Sequence, residues 1–219
     1  MNIIVTGDIH GKFNYLNALI NKYKHKLDLV LCCGDFGYWP SMCKDHKKIN
    51  THGVPVLWCD GNHEDHWSLR ALKDTEISEN VFYMPRGATY KLEDGRTILF
   101  MGGAFSIDWQ TRLVGRDWFP AEEVITQTDM MDLPDVKVDI IVSHTCPSEL
   151  YGEMIPYYTG RDLEPSNHAL SELWKIYKPD LWFFGHWHHH KEGNLGDTKW
   201  CALDFAGSGG RWWKWIPEK

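Results

Sequence analysis

The chain has 219 residues, and 43% of them are hydrophobic, which is enough apolar material for one substantial core. We therefore expect a single domain over residues 1–219. A formal net charge of −7 argues against a protein that binds duplex nucleic acid over its whole surface, because such binding needs many Lys and Arg contacts to phosphate. No apolar run reaches the roughly 20 residues of a membrane helix, and no signal-peptide pattern opens the chain. The sequence thus predicts a cytoplasmic protein without membrane association.

The first predicted element is a buried strand that ends beside a carboxylate and an imidazole. Residues 2–6 form an apolar, β-branched run, and Asp8 and His10 follow it with a glycine on either side. From Phe13 onward, apolar residues recur at helical spacing, which predicts a helix directly after the turn. Asp8 and His10 therefore lie in a loop at the carboxyl end of a strand, where open α/β sheets gather their ligands.

Four later apolar runs also end next to ligand-type side chains. They cover residues 28–33, 54–59, 138–142 and 181–184 and are followed by Asp35, by Asn62 and His63, by His144, and by His186 and His188. In extended chain, side chains two residues apart point the same way, so His186 and His188 can reach one site. The alternation of strands and helices predicts an α/β fold. Short runs at 81–84, 89–92 and 97–101 read as strand pairs, so the sheet is expected to be mixed.

The stretches between these runs carry further expectations. Residues 102–120 are rich in Trp and Arg and show neither the apolar periodicity of a helix nor that of a strand, which predicts a long loop over the site. Pro120, followed closely by Glu122 and Glu123, indicates the start of a helix, and another helix is predicted over 168–177. The histidines without strand-end context are expected at the surface, namely His25, His46, His52, His66 and His168.

The chemistry of the strand ends points to metal ions. If the strands run parallel, their ends share one edge of the sheet, and the polar side chains converge on one crevice. Seven or eight Asp, Asn and His side chains, with no Cys among them, suit Mn, Fe, Zn or Ni rather than a thiolate zinc site. Their number exceeds the needs of one tetrahedral metal, so two divalent ions are the economical interpretation, with Mn favoured.

With these motifs the sequence resembles the calcineurin-like metallophosphoesterase superfamily. The resemblance spans residues 7–188 and rests on Gly7-Asp8-Ile9-His10-Gly11, Gly34-Asp35, Gly61-Asn62-His63-Glu64, Ser143-His144 and Gly185-His186-Trp187-His188. The segment from Gly102 to Asp108 looks like a stretch found in small bacterial and phage members. The resemblance implies an α/β fold in the form of a four-layer αββα sandwich, with two mixed β-sheets flanked by helices and a dimetal site at its top.

Carried over position by position, the resemblance also implies a role for each motif residue. Asp8, His10 and His188 would hold the first metal, Asn62, His144 and His186 the second, and Asp35 would bridge both. His63 would be a catalytic residue beside Asp35, contacting the phosphoryl oxygen or protonating the leaving group. The two cations would share a hydroxide and clamp phosphoryl oxygens for in-line attack.

The implied activity is that of a metal-dependent phosphoesterase acting on a phosphomonoester or a phosphodiester. A small nucleotide, a cyclic phosphodiester and a nucleic-acid end all stay open as substrates, and the oligomeric state is open as well. The alternative is a catalytically silent scaffold that presents the same fold to another protein. Such a scaffold would be expected to have lost ligands, whereas all seven are present here, which favours the enzyme.

A few positions bear on the substrate. The protein-phosphatase branch has an Asp and a phosphate-binding Arg where this chain has Tyr38 and Trp39, which argues against a phosphoprotein substrate. The same difference leaves the partner that orients His63 open, with Glu64 and Asp65 as candidates by proximity.

Two groups of loop residues are candidates for contacting the substrate. Three loop arginines could bind its phosphate, namely Arg112, Arg116 and Arg161, and Arg112 is the preferred candidate. The alternative is a surface ion pair, which is the commoner role of a loop arginine. Three indoles near the motifs could stack on a base or a sugar, namely Trp39, Trp109 and Trp187. From these two groups we select Arg112 and Trp39 as the expected substrate residues.

Overall fold

The computed structural model describes residues 1–155 and 164–218, and its strands form two six-stranded sheets. The first sheet contains β1 (Ile3–Thr6), β2 (Leu29–Cys32), β3 (Val56–Trp58), β4 (Glu76–Ser78), β5 (Val81–Tyr83) and β12 (Trp213–Trp215). The second sheet contains β6 (Thr89–Lys91), β7 (Thr97–Met101), β8 (Ile140–Ser143), β9 (Leu181–Phe184), β10 (Lys191–Leu195) and β11 (Thr198–Ala202).

Each sheet has a parallel centre and antiparallel edges. The first has the order β12-β1-β2-β3-β5-β4, in which β12 and β4 are antiparallel to their neighbours. The second has the order β10-β11-β9-β8-β7-β6, in which β10 and β6 are antiparallel. The expectation of mixed sheets is therefore confirmed. Because the central strands of a sheet run the same way, their carboxyl ends meet at one edge.

The helices cover the outer faces of the two sheets. Within the described residues they are α1 (Phe13–Tyr23), α2 (His66–Arg70), α3 (Gln127–Met131), α4 (Tyr151–Met154) and α5 (Pro165–Tyr177). In α1 the apolar residues at helical spacing, from Phe13 to Ile20, are the buried ones. Helix α5 ends because Lys178 adopts a left-handed conformation, with φ of 44°. None of these helices is long and apolar enough to cross a bilayer.

Three apolar layers result, because successive residues of a strand face opposite sides of the sheet. Ile3, Val5 and Phe100 are among the residues packed between the two sheets. The outer face of the first sheet packs on α1, and that of the second sheet packs on α5. Trp58 and Trp182 are fully buried in these outer layers. The molecule is the predicted αββα sandwich.

The chain between β3 and β7 differs from the expectation. Strand β5 lies in the first sheet beside β3, so it does not pair with β6, which forms a hairpin with β7 in the second sheet. Strands β4 and β10 were not predicted from the sequence. Both are edge strands with exposed residues, so neither has the continuous apolar run that identifies a central strand.

The helix expected at Pro120 does not form there. The residues after Pro120 make turns, and α3 begins at Gln127, where Thr126 and Asp129 form a capping box. Glu123, read as part of the helix start, is instead fully buried and accepts hydrogen bonds from the preceding loop. Tertiary hydrogen bonds thus override a local helix signal.

Two of the histidines expected at the surface are buried. The ring of His46 lies edge-on to that of Tyr38, with 5.0 Å between the ring centroids. His66 is fully buried, and its Nδ1 lies 3.9 Å from Oδ2 of Asp60. Burial lowers the pKa of both imidazoles, that of His66 to about 4, so the His66 ring is neutral at pH 7. The surface placement was wrong because both contacts form within short, irregular stretches of the chain, where no periodic pattern in the sequence indicates which side chains are buried.

Candidate metal centre

The seven side chains predicted as ligands follow the carboxyl ends of five parallel strands. Asp8 and His10 follow β1, Asp35 follows β2, Asn62 follows β3, His144 follows β8, and His186 and His188 follow β9. The two sheets present these ends on the same side of the sandwich. Each of the seven lies within hydrogen-bond or ion-pair distance of another member of the set.

Four of these residues form a first donor group. Nε2 of His10 lies 2.9 Å from Nε2 of His188, and the latter lies 3.1 Å from Oδ2 of Asp8. Nε2 of His10 also lies 3.6 Å from Oδ2 of Asp35. One ligand atom from each of the four falls within 4.8 Å of all the others. The group is open to solvent on one side, because 45% of the His188 side chain is exposed.

The second donor group surrounds the Asn62 carboxamide. Its Oδ1 lies 3.0 Å from Nε2 of His144 and 3.0 Å from Nδ1 of His186. Nε2 of His144 lies 3.2 Å from Oδ1 of Asp35. The Asp35 carboxylate therefore faces both groups, with Oδ2 toward the first and Oδ1 toward the second.

Left-handed backbone brings four of the seven side chains inward. The φ angles are 50° at His10, 43° at Asp35, 68° at His186 and 53° at His188. Such angles cost about 1–3 kcal/mol at a non-glycine residue and cluster at functional sites. The expectation that His186 and His188 converge through extended chain was therefore wrong about the backbone, although both rings reach the same crevice.

Two glycines leave room for the buried carboxylates. A Cβ on Gly61 would lie 2.1 Å from Oδ1 of Asp35, and a Cβ on Gly185 would lie 1.9 Å from Oδ1 of Asp8. Any side chain at these positions would displace a carboxylate oxygen of the site.

The electrostatics of the donor set suit divalent cations. Burial raises the pKa of Asp35, but the facing His144, His63 and His10 outweigh burial and hold that pKa well below its usual range. Burial, reinforced by His144, lowers the pKa of His186, which leaves a neutral imidazole with a free lone pair. Among the described residues, Asp8 and Asp35 form ion pairs with histidines only. Two buried carboxylates without Lys or Arg, surrounded by imidazoles, fit hard or borderline metal ions.

His63 lies beside the donor groups without belonging to either. Its backbone N–H donates to Oδ1 of Asp35 at 2.8 Å, and its ring centroid lies 4.9 Å from that of His10. The guanidinium of Arg112 contacts the His63 ring, and Asp108 pairs with that guanidinium at 2.8 Å. Burial lowers the pKa of His63, and the Arg112 charge lowers it further.

Neither residue next to His63 in sequence orients its ring. Glu64 accepts hydrogen bonds from the backbone N–H groups of Gly37 at 3.1 Å and of Gly61 at 2.8 Å. Asp65 caps α2 by accepting from Ser68 N–H. The contact with the His63 ring comes instead from Arg112, so the two candidates by proximity were wrong.

A cleft of about 330 Å³ opens over the donor groups. Its polar floor includes Asp35, Asn62 and His63, and Ile107 and Trp187 belong to its apolar side. We call residues 102–125, which contribute Ile107 to the cleft and Arg112 to His63, the cover segment.

The other candidate substrate residues lie away from the cleft or outside the described chain. The ring of Trp39 packs 6.3 Å from that of Phe119, and Trp39 is not among the described residues that line the cleft. Trp109 packs on Trp118, and Arg116 pairs with its neighbour Asp117. Arg161 falls in 156–163, outside the described residues.

A buried ion pair that was not predicted from the sequence holds the cover segment to the first sheet. Nη2 of Arg86 lies 2.7 Å from Oδ2 of Asp60, and both side chains are buried. Burial opposes ionisation of Asp60, but Arg86 outweighs it and lowers the Asp60 pKa to about 2. Arg86 also donates to the carbonyls of Glu122 and Glu123 in the cover segment. The position of Asp60, immediately before the Gly61 motif, could have identified it as a residue near the site. Nothing in the sequence around Arg86 identifies Arg86 as its buried partner.

Comparison with known proteins identifies the sequence family of this chain and a set of more distant relatives. The sequence model for calcineurin-like phosphoesterases matches residues 1–190. A lariat debranching enzyme from Drosophila melanogaster is 26% identical over 91% of this chain and 46% of its own length. CWF19-like protein 1 from Pongo abelii is 24% identical over 67% of this chain and 28% of its own length. The chain thus spans about half the length, or less, of these curated relatives.

Solved structures show the same architecture at low identity. The protein TT1561 of Thermus thermophilus has a TM-score of 0.56 at 15% identity and covers 94% of this chain and 89% of its own. The phosphopantetheinyl hydrolase from Mycobacterium tuberculosis has a TM-score of 0.54 at 11% identity and covers 100% of this chain and 97% of its own. At these identities the likeness concerns the fold alone.

Proposed function

This chain belongs to the calcineurin-like phosphoesterase family, and on that premise we propose that it is a dimetal-dependent phosphoesterase acting on a phosphomonoester or phosphodiester. The observation that carries the proposal is the position of Asp35, whose two carboxylate oxygens face two separate donor groups. A carboxylate shared between two sets of imidazole and oxygen donors suits a pair of closely spaced ions.

The donor groups suggest which residues hold each ion. We assign the first ion to Asp8, His10 and His188, the second to Asn62, His144 and His186, and the bridging position to Asp35. When bound, two such ions would activate water and polarise phosphoryl oxygens. The donors are nitrogen and oxygen atoms without thiolate, and we favour Mn among Mn, Fe, Zn and Ni.

His63 and Arg112 are assigned to the substrate side of the site. His63 and Asp108 line the cleft, and Arg112, although not among the described lining residues, contacts the His63 ring and pairs with Asp108, so a phosphoryl group at His63 would lie close to its guanidinium. Asp108 and the carbonyl oxygen of Asn62 fix the guanidinium, the latter at 3.1 Å. We propose that Arg112 binds substrate phosphate and that His63 acts on the phosphoryl or leaving-group oxygen. Trp39 keeps only a packing role in this proposal.

The apolar side of the cleft bears on the substrate class. Ile107 is 61% exposed although it is a large apolar side chain, and Trp187 faces the same space. An ester with an aromatic group such as a nucleobase would cover both. The similarity to lariat debranching enzymes also supports a nucleotide or nucleic-acid-type substrate.

The proposal is tested by combining metal analysis with a substrate panel. Metal-free protein is titrated with Mn²⁺, Fe²⁺, Zn²⁺ or Ni²⁺ and assayed on a phosphomonoester, a phosphodiester, single-stranded DNA and RNA. We expect two ions per chain and metal-dependent hydrolysis of at least one ester. Two bound ions without hydrolysis of any substrate would favour a scaffold, and a plateau at zero or one ion would contradict the site assignment.

A further inference from the structure

We infer that Ser106 and Glu123 are positioning residues that determine which end of the Asn62 carboxamide faces the second donor group. The inference rests on the proposed function, because it concerns the Asn62 oxygen assigned there to a metal. Neither residue is part of a strand-end motif. Both belong to the cover segment, 44 and 61 positions away from Asn62 in the sequence.

A chain of hydrogen bonds joins the three side chains. Nδ2 of Asn62 donates to Oγ of Ser106 at 3.3 Å, and Oγ of Ser106 donates to Oε2 of Glu123 at 2.8 Å. The backbone N–H of Ser106 donates to Oε1 of Glu123, also at 2.8 Å. All three residues are buried, so water does not replace a missing partner at low cost.

The charge of Glu123 determines the direction of this chain. Its oxygens face three donors, namely the N–H and O–H of Ser106 and Nε1 of Trp118 at 3.1 Å. Burial raises the pKa of Glu123 above its usual value, and these three donors offset part of that increase because they bind the ionised carboxylate. With three donors on its two oxygens, the Glu123 carboxylate in its ionised form only accepts, so the single hydroxyl hydrogen of Ser106 is used on Glu123.

The amide orientation follows from that direction. With its hydrogen donated to Glu123, Ser106 Oγ can only accept, and the Asn62 atom facing it must be the NH₂ group. The two ends of a carboxamide have nearly the same shape, so this hydrogen bond is what distinguishes them. Oδ1 is thereby turned toward His144 and His186, each 3.0 Å away. The reversed amide would present N–H hydrogens to a cation.

Three variants test the inference through metal binding rather than activity. Ser106→Ala removes the acceptor, and Glu123→Gln replaces the carboxylate with an amide that can donate to Ser106. Glu122→Gln is the matched control, because the neighbouring carboxylate accepts from Trp67 Nε1 at 3.3 Å and does not touch Asn62. Equilibrium dialysis of metal-free protein against Mn²⁺ measures the affinity of both sites.

We expect Ser106→Ala and Glu123→Gln each to weaken the binding of one of the two ions by about 10- to 100-fold, the usual effect of outer-shell changes, and to leave the other ion unaffected. Glu122→Gln should bind as the wild type does. In an Asn62→Ala background, Ser106→Ala should cause no further loss, because it acts through Asn62. The melting temperature of each metal-free variant reports any change in folding.

Two results would overturn the inference. One is wild-type Mn²⁺ affinity in both Ser106→Ala and Glu123→Gln while the wild type binds two ions. The other is an equal further loss in the Asn62→Ala background, which would indicate a general effect on the fold. A wild type that binds fewer than two ions would overturn the proposed site as well, so the two failures are distinguishable.

Discussion

The floor of the cleft and the cover segment are built in different ways. The floor consists of side chains that follow parallel strands within a few residues, so the direction of each strand places them. The cover segment lacks regular structure over most of its length and is fixed by bonds to residues far away in the sequence, such as Arg86, which pairs with Asp60 and donates to the carbonyls of Glu122 and Glu123. The floor therefore depends on local backbone geometry, whereas the cover segment depends on a few buried polar bonds. Removing one ligand from the floor should therefore abolish activity while the protein stays folded. Removing one buried bond that holds the cover segment should lower the stability of the protein as well as its activity.

The largest effect on activity is expected for Asp35→Asn. The change weakens the one group that faces both donor sets, so kcat should fall by more than the roughly 10²- to 10⁴-fold that loss of a positioned acid costs. His188→Ala, which removes the most exposed ligand of the first group, should cost less. Steady-state kinetics and metal content are measured for both variants. Near-native turnover in Asp35→Asn together with loss of activity in His188→Ala would refute the bridging assignment.

The second effect concerns His63, which lies on the floor without being assigned to a metal. His63→Ala should lower kcat by about 10²- to 10⁴-fold, the usual contribution of a positioned acid, while two ions stay bound. The loss should be smaller on a nitrophenyl ester, because nitrophenolate leaves without a proton. Equal losses on good and poor leaving groups would indicate electrostatic stabilisation instead. Loss of an ion from this variant would contradict both roles.

The third effect concerns the stability of the protein, which should depend on the bonds that hold the cover segment. Arg86→Met leaves the buried Asp60 carboxylate without its cation, which typically costs about 3–5 kcal/mol. For a chain of this size the melting temperature should fall by about 10 °C. The control is Arg116→Met in the cover segment itself, where the ion pair of Arg116 with Asp117 is more exposed and contributes about 1 kcal/mol or less. Equal melting temperatures for the two variants would show that Arg86 does not hold the segment.

The same ion pair predicts a pH dependence. The Asp60 pKa is about 2 in the folded protein against 3.8 for the free side chain, so the unfolded chain binds more protons between these values. The stabilisation is therefore complete above about pH 4 and is lost as the pH falls toward 2. Urea unfolding of the wild type and of Asp60→Asn should show a stability difference that shrinks over this interval. A difference that stays constant there would place the Asp60 pKa elsewhere.

The contrast between the two regions also explains what the sequence could predict. Asp8, Asp35 and His144 were predictable, because each follows an apolar run that can only be a buried strand. The left-handed backbone of His186 was not, since its φ of 68° depends on a hydrogen bond from its N–H to the distant Asp8. Glu123 was misread because Pro and Glu favour a helix start locally, whereas its partner Ser106 is recognisable only in the folded chain.

The smallest expected effect concerns the apolar side of the cleft, where the cover segment contributes Ile107. If a nucleobase covers Ile107 and Trp187, the enzyme should prefer the p-nitrophenyl ester of thymidine 5′-phosphate over methyl p-nitrophenyl phosphate, which has the same leaving group. Base–aromatic stacking is worth about 1–3 kcal/mol, so Trp187→Ala should lower the ratio of the two kcat/KM values by about tenfold.

Trp187 lies between two assigned ligands, so its replacement could also disturb the metal site. Ile107→Ala avoids this problem and should decrease the same ratio by a smaller factor. Trp109→Ala is the control, since that indole packs on Trp118 and is not among the described residues that line the cleft. The ratio cancels any change in the shared chemistry, so it reports the contact with the base alone. An unchanged ratio in both Ile107→Ala and Trp187→Ala would show that the substrate extends along another surface, and a decreased ratio in Trp109→Ala would point to the outer face of the cover segment.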